Sequence, residues 1–358
     1  MHLLDTMIPP TPRTPRAIGM AIERGIAYLA DALDPDEGLW RDFTERDGSR
    51  GSDVWVSAFV AAHIGGIAQA RPMAADVARA LLARPRRSGG WGYDQRLLED
   101  ADSTAWVLLA AHRSGAGIER PALLGALRLL LRHEDPSGGF VTYGDEGVEI
   151  FGHIAGRAGW FSAQPCVSAA ALLALSCFAS RSVPAIESTA RYLSDHAESD
   201  GLWHPYWWHG FAYATHHVVD ALRHAQQLSC ARASAIATAV LRARCADGGW
   251  SGRNPGRSTA FATALAMLTL CTLADVLSDA VGDDGRGQAR QALEAVRMAV
   301  PLLSSLQRAD GSFSPSAELL VPGGATQDTL TMVDHGVFTT GCVLHALDEA
   351  RRVLGGAS

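Results

Sequence analysis

Asp247-Gly248-Gly249-Trp250 closes one amphipathic stretch, and near Phe261 a far more apolar one begins. The same event occurs five more times: Asp36-Glu37-Gly38-Leu39-Trp40, Ser88-Gly89-Gly90-Trp91, Pro136-Ser137-Gly138-Gly139-Phe140, Asp200-Gly201-Leu202-Trp203 and Asp310-Gly311-Ser312-Phe313. The aromatics recur roughly every fifty to sixty residues, room for two helices and their connections. Glycine suits a helix end that must turn left-handed.

The segments before the turns are amphipathic. In Leu123-Leu124-Gly125-Ala126-Leu127-Arg128-Leu129-Leu130-Leu131-Arg132, the two arginines share a solvent face. The segments after the turns are apolar and are expected to start near Asp53, Asp102, Cys166, Tyr213, Phe261 and Phe338. Six alternating pairs predict an all-α protein, a single α6–α6 (α/α) barrel with apolar helices inside. One domain is expected over 17–358, after a loose Pro- and Arg-rich arm over 1–16, and no strand-period segment stands out. All six inner N-termini would meet at one mouth. Two long loops, Val141 to Phe161 and Ser314 to Val333, open at that mouth and read as lids or binding loops. Shorter, blander connections are expected at the other.

Composition excludes several classes. The net charge of −7 leaves no nucleic-acid footprint, and all 31 basic residues are arginine. Six cysteines without a CxxC spacing read as reduced thiols of a cytoplasmic protein. The longest apolar run, roughly Cys166 to Ala179, is shorter than the ~20 residues of a membrane span.

The chemistry concentrates in Glu99-Asp100-Ala101-Asp102-Ser103-Thr104-Ala105-Trp106, acids at the head of a buried helix. Such carboxyls are costly unless paired, protonated or used. A plain cap is the alternative for either Asp100 or Asp102, and for Asp53, which shares the register of Asp100. Aligning the inner segments on their Ser/Thr-Ala step puts Asp102 level with Trp55, Cys166, Tyr213, Phe261 and Phe338. That predicts a ring of one acid, four aromatics and a thiol.

These turns, with Asp100-Ala101-Asp102-Ser103-Thr104-Ala105, resemble the QW-type repeats and the Asp-x-Asp-Asp-Thr-Ala motif of squalene–hopene cyclase and other class II terpene cyclases. The likeness spans roughly Ile18 to Leu354, one barrel's worth, with Ser103 in place of the motif's last Asp. It implies protonation-initiated cyclisation of an isoprenoid or prenylated polyene. Asp102 would be the Brønsted acid and Asp100 its partner. Trp55, Cys166, Tyr213, Phe261, Phe338, His216 and Trp106 would form the substrate-binding wall. Family members build the cavity between two helical domains, so here the loops, a second copy or a partner domain must close it. No cofactor is implied, Mg²⁺ entering only with a diphosphate substrate.

Other signals are weaker. Asp145, Glu149 and His153 have a helical ligand spacing, but the neighbouring glycines argue against a helix, and no metal is expected. Arg46, Arg50, Arg253 and Arg257 lie in mouth loops, where a diphosphate clamp competes with ordinary surface roles. Two rival functions remain at this level: a non-catalytic prenyl- or lipid-binding subunit, and an (α/α)-barrel glycan-active enzyme with opposed carboxylates across a polar cleft.

Overall fold

The computed structural model describes residues 14–43, 51–151, 158–180, 182–279, 283–321 and 330–355. The inner helices are α2 (Val54–Ile64), α4 (Ala101–Ser114), α7 (Pro165–Phe178), α9 (Ala212–His224), α11 (Ala260–Ser278) and α13 (Val337–Gly355). Their starts fall within a residue of the expected positions. The outer helices are α1 (Thr14–Asp31), α3 (Arg71–Leu82), α5 (Arg120–Arg132), α8 (Pro184–Asp195), α10 (Cys230–Arg242) and α12 (Asp283–Ser305). Each inner helix packs on the next, and α13 packs on α2 to close the ring. Gly341 permits that seam, since a Cβ there would meet Val60 Cγ1 at 3.1 Å.

One hydrogen-bond pattern holds all six pairs together. The backbone N–H of each turn aromatic donates to the Ser/Thr hydroxyl of the following inner helix. The pairs are Trp40 to Ser57 (2.8 Å), Trp91 to Thr104 (3.0 Å), Phe140 to Ser168 (2.8 Å), Trp203 to Thr215 (3.0 Å), Trp250 to Thr263 (3.1 Å) and Phe313 to Thr340 (3.0 Å). Each hydroxyl therefore satisfies an amide that would otherwise be buried unpaired. The four turn indoles also donate to outer-helix carbonyls: Trp40 to Leu29, Trp91 to Leu81, Trp203 to Leu193 and Trp250 to Val240, at 2.7–2.8 Å.

The turns bring backbones close. Gly311 has φ +91°, and a Cβ there would lie 2.4 Å from the Arg24 carbonyl oxygen. Gly311→Ala is therefore expected to destabilise the protein by more than about 1 kcal/mol in urea melts; an unchanged midpoint would show that α1 gives way at no cost.

Several expectations need correction. The chain does contain strands: β1 (Glu318–Val321) and β2 (Leu330–Val333) pair antiparallel, with Glu318 opposite Val333. The Val141 to Phe161 loop is not structureless either. It holds α6 (Asp145–Phe151) and a turn of 3₁₀ helix, Ala158–Phe161, so Asp145 and Glu149 are helical after all. Two segments, Ala158–Phe178 and Ala260–Ser278, have the length and apolarity of a membrane span, so Cys166 to Ala179 is not the limiting run. The second is 89% buried within the barrel. The connections at the opposite mouth are short, as expected, but the helix ends there are not bland. They form a polar pocket of about 310 Å³ with Arg113 on Asp220 at 2.7 Å and Arg352 on Asp275 at 3.0 Å.

Candidate active site

At the mouth where the inner helices begin lies a cavity of about 420 Å³. Phe43, Trp55, Tyr93, Asp100, Asp102 and Trp208 line it, as do Tyr143, Phe151, Trp160 and the hairpin residues Leu319, Leu330 and Met332. Segments of both long loops thus cover the mouth. The loop aromatics pack together, with ring centroids 5.7 Å apart for Tyr143 and Trp160, 5.2 Å for Tyr143 and Phe151, and 5.2 Å for Trp160 and Trp207.

Asp100 is the N-cap of α4. Its Oδ1 accepts from the Ser103 N–H and its Oδ2 from the Ser103 hydroxyl, both at 2.7 Å. The serine that replaces the motif's last Asp therefore holds the cap. Burial pushes the Asp100 carboxyl up to about 7, against the pull of these donors. Both oxygens being engaged with Ser103, Asp100 acts on Asp102 through space.

With the cap taken, Asp102 is free of that duty. It sits in the first turn of α4, deep in the fold yet part-exposed to the cavity it lines. Its Oδ2 accepts from Trp55 Nε1 at 2.9 Å, and its buried Oδ1 has no hydrogen-bond partner. Burial raises this carboxyl to about 8, and repulsion from Asp100 adds to the rise. The indole N–H groups of Trp55 and Trp106 oppose it, although Trp106 Nε1 makes no hydrogen bond of good geometry. A carboxyl in such a place is neutral at pH 7.

The expected ring does not surround the cavity; only part of it reaches the void. Of its members Trp55 and Asp102 line the cavity. Phe338 stacks on Phe59 at 4.0 Å and on Trp55 at 4.9 Å, and Tyr213, Phe261 and Trp106 are buried in the same core. Cys166 is buried beside them, its thiol pushed up to about 12 by burial and by the Asp102 charge. His216 belongs elsewhere. It lines the polar pocket of the opposite mouth on one helical face with Asp220 and His224, and burial lowers it to about 4. His217 instead faces the rings of Tyr213 (4.5 Å) and Trp106 (4.9 Å).

Asp53 occupies the N-cap position of α2 without a side-chain cap bond; its Oδ2 accepts from Gln95 Nε2 at 3.2 Å. Arg253 and Arg257 are exposed and do not line the cavity. Arg46, Arg50 and His153 lie outside the described residues. Among the described residues no cluster of His, Cys, Asp and Glu has metal-binding geometry. The sequence places the two long loops at this mouth but does not single out Tyr143, Phe151, Trp160 and Trp208 as cavity lining. Another residue it missed is Asp42. Its carboxylate accepts from the amides of Phe43 (2.8 Å), His335 (2.6 Å) and Phe338 (2.9 Å), which caps the last inner helix from the first turn.

Residues 83–314 match the model of the squalene-hopene cyclase C-terminal domain. The chain belongs to this family. The family likeness read from the turns and the Asp-x-Asp motif is therefore borne out, as is the all-α barrel. Among solved structures, a variant of the type II terpene cyclase MstE from Scytonema, in complex with geranylgeranyl dihydroxybenzoate, superposes with a TM-score of 0.78 at 26% identity, covering 95% of this chain and 99% of that one. Another variant of the same enzyme, with merosterolic acid A, matches equally well at TM-score 0.78 and 26% identity, over 95% of this chain and 98% of that one. A curated relative, drimenyl diphosphate synthase of Streptomyces showdoensis, is 27% identical over 73% of this chain. The chain spans 45% of that relative's length. An α-mannanase from Bacteroides thetaiotaomicron shares the fold alone, at 14% identity and TM-score 0.61 over 94% of this chain and 97% of that one.

Proposed function

We propose that this squalene-hopene cyclase family member is a class II-type cyclase. It protonates the terminal double bond of a prenylated substrate in the 420 Å³ cavity, with Asp102 as the general acid. The observation that carries the reading is a carboxyl with a raised pKa in the wall of an aromatic-lined void. Protonating an alkene demands an acid kept neutral and away from water. The Asp102 O–H bond breaks as a C–H bond forms, leaving a carboxylate and a carbocation. The next double bond then supplies its electron pair to close a ring; the final cation loses a proton from carbon to solvent, and solvent returns a proton to the Asp102 carboxylate. Rings such as Trp55, Tyr143 and Trp160 offer π-faces worth about 0.5–2 kcal/mol each to the passing charge. Asp102 supplies the initiating proton itself, so the chemistry needs no cofactor; Mg²⁺ would enter only with a diphosphate head group.

A relative of matching length holds a prenylated dihydroxybenzoate, which supports a prenylated aromatic as the substrate class ahead of a prenyl diphosphate. The glycan-active alternative loses support, because Asp100 and Asp102 share one helix and Asp100 is spent on Ser103. The test is incubation with prenylated hydroxybenzoates, free prenyl alcohols and prenyl diphosphates, read by chromatography with mass spectrometry. A product of unchanged mass and fewer olefinic protons is expected; full recovery of every substrate would end the proposal.

The pH dependence carries a sign. Asp102 must be protonated to act, and its raised pKa keeps it so below about 8. kcat is expected to fall about tenfold per pH unit above about 8. A rate that climbs through that range would remove Asp102 from the acid role.

A further inference from the structure

We infer that Trp208 is the floor of the cavity and sets the length of polyene that fits; the inference rests on the cyclase reading above. Trp208 lines the void, yet it is 3% exposed, because its indole is driven down the barrel axis. Its ring meets Tyr213 at 4.6 Å, Phe261 and Phe338 at 5.3 Å, and Phe43 and Trp55 at 5.9 Å. Above it is open space. Below it lie Tyr213, Phe261 and Phe338, none of which reaches the cavity. Among the residues lining the void, Trp208 is the one packed on Tyr213 and Phe261, while Phe338 is screened by Phe43 (5.1 Å) and Trp55 (4.9 Å) as well.

The backbone around it is clamped, so the indole is held rather than loosely seated. The Leu320 N–H donates to the Trp207 carbonyl at 2.7 Å, and Trp208 forms a bridge with Leu319 of β1. On the other side, Trp207 Nε1 donates to the Thr142 hydroxyl at 3.2 Å. A floor pinned to both lid segments keeps its height when substrate enters, and a fixed depth discriminates between chains that differ by one isoprene unit. Removing the indole adds space of about that size, bounded by the π-faces of Tyr213, Phe261 and Phe338. The cavity would deepen without gaining polar surface.

The experiment measures equilibrium binding of geraniol, farnesol, geranylgeraniol and geranylfarnesol to the wild-type protein, Trp208→Phe and Trp208→Ala. Thermal melts establish that each variant is folded. The longest alcohol bound by Trp208→Ala is expected to be one isoprene unit beyond that of the wild type, with at least a tenfold gain for that chain. Trp208→Phe is expected to fall between the two, and it keeps the test alive if the alanine variant does not fold. A length profile that is the same in wild type and in a folded variant overturns the floor alone. No binding of any prenyl alcohol by any of the three proteins overturns the floor together with the prenyl reading beneath it.

Discussion

Asp102→Asn is expected to abolish cyclisation, by about 10³-fold or more in kcat, while leaving the protein folded. Asparagine can still accept from Trp55 Nε1 through its carbonyl, so the contact that holds Oδ2 survives. What disappears is the transferable proton. Stability should move the other way. The folded-state pKa of Asp102 is raised to about 8, above the ordinary carboxylate value, so the folded protein binds the extra proton. The carboxyl therefore costs no stability below about pH 4 and progressively more as pH rises to about 8. The asparagine variant carries no such cost, and its melting temperature is expected to exceed that of the wild type at pH 8 to 9. Binding of a prenylated hydroxybenzoate, measured in the same variant, should persist. A variant that cyclises at the wild-type rate, or that loses binding as well as turnover, would assign Asp102 another task.

Trp91→Ala should produce the largest loss of stability, about 3–5 kcal/mol, against a total of about 5–15 for a typical domain. The indole is 2% exposed and donates to the Leu81 carbonyl at 2.8 Å. Its backbone makes the pair of bonds that seat α4: the N–H donates to Thr104, and the carbonyl accepts from the Asp100 N–H at 3.0 Å. The turn that stabilises the second repeat is therefore the turn that positions the acid-bearing helix. Trp91→Phe keeps most of the buried area and loses one hydrogen bond, about 1 kcal/mol. Phe140 and Phe313 occupy the equivalent place in two other repeats and show that a phenyl ring fits such a turn. Denaturant melts should rank wild type, Trp91→Phe and Trp91→Ala in that order. Equal stability of the two variants would mean that the indole's hydrogen bond, and not its bulk, supports the turn.

The repeat was legible because one small set of residues does the same job six times. Glycine allows the turn, an aromatic fills it, and a Ser/Thr hydroxyl answers the aromatic's amide. Aligning on that hydroxyl placed every inner helix within a residue. The Asp100–Asp102 pair could be read as functional, but which aspartate caps the helix could not, since both suit the position. Depth along the barrel axis was the larger blind spot. Helical register says which side of a helix faces inward, and on that count the ring was found. It does not say how far an aromatic on a connecting segment, such as Trp208, descends over part of the ring and covers it. His216 was misplaced for the same reason, because an inward-facing residue can open to either end. The hairpin has strands of four residues each, too short for a period to register. Asp42 works across 296 residues of chain, and no local pattern encodes that.

That last contact has a consequence for biosynthesis. Asp42 belongs to the first repeat, and the amides it caps belong to the sixth, so the ring cannot shut until the final helix has been made. Until then the bare flank of the first apolar helix has no neighbour, and a growing polypeptide must carry it exposed or shielded by something else. Premature termination ahead of Val337 would leave an arc rather than a circle, with its two sticky edges open to other molecules.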